Sequence, residues 1–164
     1  AGVPGGGWIA TGGFQGPVLF ATSGSSIANK GGTDAFIARY NSTGTHIYSF
    51  GYGTPSGEIG RKVAVLPTGE VVFAGEFGSS ITFGTTTLTG TNDIFVTRLS
   101  SGNTPVHEWQ VKLGGPQAGE FVFGLTVDPQ GTVHVLGDWT GMTDVAGTPL
   151  TAQDYDAFVA SLVR

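Results

Sequence analysis

Two glutamates occupy matching places in the sequence, Glu58 in Ser56-Gly57-Glu58 and Glu120 in Ala118-Gly119-Glu120. Each stands just before an apolar strand segment. Acids gathered at one mouth could bind a cation or hydrogen-bond a polyhydroxylated ligand, whereas the plainer role is a solvated loop acid. Three aspartates also recur, in Asp34-Ala35-Phe36, Asp93-Ile94-Phe95 and Asp156-Ala157-Phe158. They could ligate cations, but recurrence at one kind of turn favours an Asp that accepts backbone N–H bonds where a strand begins. His46-Ile47-Tyr48 and His107-Glu108-Trp109 each place an aromatic two residues after a histidine. In a regular strand that spacing puts both side chains on one face. His46, Tyr48, His107 and Trp109 are therefore candidates for a glycan-stacking surface, with the cover of a sheet edge as the structural alternative.

Other chemistries find less support. Glu76 and Asp138 match in position and could form a hydrolytic carboxylate pair, yet Gly13 stands at the third equivalent place. No Gly-x-Ser-x-Gly elbow occurs, and the absence of cysteine removes thiol nucleophiles, disulfides and thiolate metal sites. The histidines lack zinc-ligand spacing. Gly2-Val3-Pro4-Gly5-Gly6-Gly7 lacks the Lys-Ser/Thr of a phosphate loop. No catalytic residue, metal or cofactor is expected, and calcium has no specific motif behind it. With a net charge of -5 and 12% charged residues, the chain suits neither phosphate backbones nor nucleic acid. No apolar run is long enough to span a bilayer, and the first residues show no signal-peptide pattern. Asn41-Ser42-Thr43 is a glycosylation sequon.

The elements that must position these residues are strands. The sequence has 29 Gly and 8 Pro, and Ser and Thr separate short apolar runs without helical periodicity. The markers recur with a period of about 62 residues. Gly12-Gly13-Phe14 returns as Gly75-Glu76-Phe77 and Gly137-Asp138-Trp139. Leu66-Pro67-Thr68-Gly69 returns as Asp128-Pro129-Gln130-Gly131. Each unit reads as four strands, typified by residues 61–66, 70–77, 93–99 and 107–113, with a long loop and short ribbon between the second and third. Strands such as 70–77 are apolar on both faces, and stacking the units radially buries both. The expected fold is an all-β propeller of four-stranded antiparallel blades, one repeat region over 1–164 with units near 8–53, 54–115 and 116–164. The first unit begins at its second strand and the last ends at its third, so about three blades are expected. Phe14, Phe36, Phe77, Phe95, Trp139 and Phe158 are expected to fill the layers between blades, and Asp34, Asp93 and Asp156 to fix turns.

The succession Gly-x-(Phe/Trp), a Gly/Thr-rich loop, Asp-x-Phe-Val, an aromatic strand ending in Leu113-Gly114-Gly115, and Pro-x-Gly resembles the SBBP-type β-propeller repeats of bacterial proteins. The resemblance covers almost all of residues 8–164, with Gly51-Tyr52-Gly53 as a departure at the Leu-Gly-Gly position. It implies a propeller in an extracellular or cell-surface setting and brings no catalytic residues. The expected function is a non-enzymatic scaffold for a protein or carbohydrate partner, completing its ring by self-assembly. A purely structural fragment of a longer propeller and a glycan hydrolase with an acid-lined channel are the alternatives.

Overall fold

The computed structural model describes residues 1–164 apart from 23, 25, 117, 118, 146 and 164, so the repeat marker Ala118 lies outside the described residues. Among the described residues the chain is all-β, with antiparallel strands in several small sheets and no helix. The first sheet has the order β1 (Trp8–Phe14), β2 (Asp34–Tyr40), β3 (His46–Tyr52). The chain then forms β4 (Glu58–Val65) and β5 (Val71–Phe77), a ribbon of β6 (Ser80–Phe83) and β7 (Thr86–Thr89), then β8 (Asp93–Leu99) and β9 (His107–Leu113). The second sheet is ordered β4-β5-β8-β9. The pattern repeats with β10 (Phe121–Val127), β11 (Val133–Trp139), a ribbon of β12 (Met142–Val145) and β13 (Thr148–Thr151), and β14 (Asp156–Leu162). The third sheet is ordered β10-β11-β14.

The turns explain the Pro-x-Gly marker. Gly69 N–H donates to Leu66 O at 2.9 Å and Gly131 N–H to Asp128 O at 3.0 Å. Gly6 N–H donates to Val3 O at 2.9 Å in the same way, and Gly2 bridges Trp8 much as Val65 pairs with Val71. Val3-Pro4-Gly5-Gly6 is thus a third copy of the turn, which the sequence comparison missed because two further glycines blur it. Gly6, Gly69 and Gly131 have φ of 99°, 95° and 86°, a region that side chains with a Cβ rarely adopt.

The recurring Gly and Phe are cross-strand partners. Gly12 pairs with Phe36, Gly75 with Phe95 and Gly137 with Phe158. A Cβ on any of the three glycines would come within 2.8 Å of the facing Phe ring. The ring lies across the backbone of the neighbouring strand, so only Gly fits beneath it.

The core has two layers. One lies between the first and second sheets and includes Ile9, Ile37, Tyr52, Phe73, Phe77 and Phe95. The other lies between the second and third and includes Val72, Ile94, Val96, Val135, Trp139 and Phe158. The second sheet is therefore covered on both faces, and all seven residues of β5 are buried. Phe77, Phe95, Trp139 and Phe158 are buried as expected, but Phe14 and Phe36 are only half-buried. They lie on the face of the first sheet that no other sheet covers. A connecting-loop residue, Phe20, lies against Phe36 with ring centroids 4.7 Å apart. Each ribbon touches the outer strand of the preceding sheet, β6 against β3 and β12 against β9. Gly114 N–H donates to Asp144 O of β12 at 2.9 Å.

Candidate functional site

A concavity that gathers several candidate residues lies where β4 and β10 begin. It has a volume of about 580 Å³, and its lining includes Glu58, Arg61, Glu76, Glu120, Phe121 and Tyr155. Glu58 and Glu120, from equivalent places in two units, thus meet one cavity. Neither is a solvated loop acid, since their exposures are 0% and 1%.

Glu58 is fully engaged. Its Oε2 accepts Thr54 N–H at 2.7 Å and its Oε1 accepts the Thr54 hydroxyl at 2.6 Å. In the third unit Pro116 stands where Thr54 stands in the second, and it has neither donor. Glu120 Oε1 instead accepts Gly115 N–H at 3.1 Å, while its Oε2 is buried without a close hydrogen bond and the buried Thr143 hydroxyl is the side-chain donor near the carboxyl. Burial raises the pKa of both carboxyls, and their hydrogen bonds only partly oppose it.

Glu76 joins two sheets. Its Oε2 pairs with Arg61 Nε at 2.8 Å, and its Oε1 accepts Val122 N–H of β10 at 3.1 Å. Arg61 is the extra residue of a β-bulge between Gly60 and Lys62, which turns its side chain toward Glu76. In the third sheet the bulged residue is Phe123 and the acid is Asp138. Asp138 Oδ1 is buried without a partner, and burial raises this carboxyl's pKa. The two acids thus differ in environment and belong to successive sheets.

Two of the three recurring aspartates, Asp34 and Asp93, accept bonds at strand starts. Asp34 Oδ2 accepts Lys30 N–H at 2.7 Å, while Asp93 Oδ2 accepts Thr91 N–H at 3.2 Å and pairs with Lys112 Nζ at 3.0 Å. Asp156 is exposed.

The four aromatic-surface candidates do not share a surface. Both outer strand pairs carry a bulge, so Tyr48 faces Arg39 while His46 faces Tyr40, and Trp109 faces Arg98 while His107 faces Leu99. The two-residue spacing therefore spans opposite faces. Tyr48 is buried between the first and second sheets. His107 lies on that side too, with Nε2 3.0 Å from Tyr52 Oη and Nδ1 3.1 Å from Thr97 Oγ1. Burial lowers its pKa to about 4. Trp109 packs on the opposite layer, and His46 meets the Tyr40 ring edge. Regular alternation gave no sign of these bulges.

Around the cavity, Tyr155 and Phe121 offer exposed aromatic surface, and Asn92 adds a side-chain amide. Among the described residues no three His, Cys, Asp or Glu side chains converge to hold a metal ion. No helix among the described residues is long and apolar enough to cross a membrane. Known protein-family models and curated proteins both return no match to this chain.

Proposed function

We propose that the chain is a non-enzymatic β-propeller scaffold of SBBP-like blades, extracellular or at the cell surface, that offers its inter-sheet cavity to a protein or carbohydrate partner. The supporting observation is how the cavity's acids are used. Glu58 is held by Thr54, Glu76 by Arg61 and Val122 N–H, and Glu120 through one oxygen by Gly115 N–H, so each carries a contact of the fold. Tyr155, Phe121 and Asn92 are left at the opening, a pairing of rings and an amide suited to a polyhydroxylated ligand. The sheets stacked face to face with recurrent Gly–Phe pairs support the blade reading.

The test is retention on glycan and extracellular-protein arrays. Retention that is lost in Tyr155→Ala supports the reading. No retention by the wild-type chain overturns it. Cleavage of an oligosaccharide that disappears in Glu120→Gln replaces it with the hydrolase.

A further inference from the structure

The same two kinds of sheet face meet twice inside this chain, and one of each is left open. In the inner layers, the face bearing Ile37 in the first sheet receives the face bearing Phe73 and Phe95 in the second. The opposite face of the second sheet, bearing Val72, Ala74 and Val96, receives Val135 and Phe158 of the third. By the repeat, the open face of the third sheet is the receiving kind. Leu136 and Val159, paired across β11 and β14, stand where Ala74 and Val96 stand in the second sheet. The first sheet's other face, crossed by the connecting loop at Phe20 and Ile27 but covered by no sheet, is the inserting kind, with Trp8 and Tyr40 where Val71 and Leu99 stand.

We infer that the open face of the third sheet docks the open face of the first sheet of a second copy of this chain, head to tail.

The third sheet's open face has an interface's make-up. Its centre is apolar, with Leu136 43% and Val159 69% exposed, and Phe121 and Phe123 exposed at one end. A depression of about 350 Å³ lies beside Gly124, Leu136 and Val159. The other end is polar, with His134 Nδ1 2.9 Å from Ser161 Oγ. Such a centre and rim are usual for protein contacts. At the apolar end the Asp138 Oδ1 acceptor is buried and unpartnered, where the matching Glu76 takes a backbone N–H from the next sheet. The opposing face offers Trp8, 45% exposed and stacked on Tyr40 with ring centroids 4.1 Å apart. Because the two faces differ, the contact is heterologous and propagates from copy to copy.

The inference rests on the stacked-blade reading but needs no closed ring and no external ligand. The experiment is light scattering on the full chain over a wide concentration range, with Trp8→Lys and Val159→Lys alone and mixed. Ala10→Lys and Leu136→Lys replace them on the same faces if either single variant melts early. The wild type is expected to form multimers. Each variant alone should be monomeric, and the equal mixture should give dimers and nothing larger. A wild type that stays monomeric, a mixture that stays monomeric, or a single variant that still dimerises overturns the inference. Electron microscopy separates this from the ring reading: filaments keep the docking and remove the closed ring, and rings keep both.

Discussion

The second and third sheets come from the same repeat, yet they solve burial differently. In the second, Val71–Phe77 is buried at every position, because sheets lie on both sides. In the third, Val133–Trp139 alternates, with Val133, Val135 and Trp139 buried and Leu136 exposed. The acids follow the same division. Glu76 has a guanidinium and a backbone N–H, whereas Asp138 has Phe123 in place of the arginine. Glu58 has two donors from Thr54, whereas Glu120 has lost them to Pro116. A repeat therefore specifies backbone more tightly than environment: neighbours decide whether one position is core, strut or surface.

The largest effect that sharpens this contrast is truncation of the ring over the paired glycine. Phe95→Ala should cost about 3–5 kcal/mol in chemical denaturation, and Phe36→Ala less than about half as much, since the first ring is fully buried and the second only half. Equal losses would break the comparison.

Next comes acid sensitivity of the inner layer. His107 is neutral in the folded chain, with a pKa lowered to about 4, so the unfolded state binds more protons between that value and the ordinary 6.5. Its contribution is full above pH 6.5 and is lost as pH falls toward 4. Melting temperature should drop across that window, and less steeply in His107→Gln.

The equivalent glutamates should then respond differently at neutral pH. Glu58→Gln turns an amide N–H toward one of two donors and should lose about 1 kcal/mol. Glu120→Gln removes a buried carboxylate whose Oε2 makes no close hydrogen bond and has only the Thr143 hydroxyl near the carboxyl, and should be neutral or gain up to about 1 kcal/mol. Loss of similar size in both would show that Pro116 is not the cause of the difference.

The smallest change restores the strut. Phe123→Arg should give Asp138 the partner that Glu76 has, stabilising by a few tenths to about 1 kcal/mol. The Asp138 carboxyl pKa, followed by NMR, should fall; an unchanged value would mean that the bulge does not aim the side chain.

Much of the strand plan was legible in the sequence. Residues 93–99 and 107–113 read as strands and are strands, because Asp, Gly and Ser punctuate them clearly. The ribbon over 80–89 was visible as a turn-rich stretch. What escaped was anything set by a single extra residue or by a neighbour from another unit. One bulged residue sends His107 and Trp109 to opposite faces, and no alternation pattern marks it. Glu58 looked like a loop acid because its partner Thr54 and the covering sheets are visible only in the fold. Phe36 looked like Phe95, and nothing in its own triplet tells that no sheet covers it.

The ribbons point backward along the chain: β6 rests on β3, and β12 on β9. During synthesis the N-terminal part emerges first. Each ribbon therefore leaves the ribosome after the strand it leans on, and each new unit meets a surface already made. The first ribbon also takes contacts from later strands, β7 against β9 and Phe83 against Phe95 and His107, so its packing is completed only once its own unit has emerged.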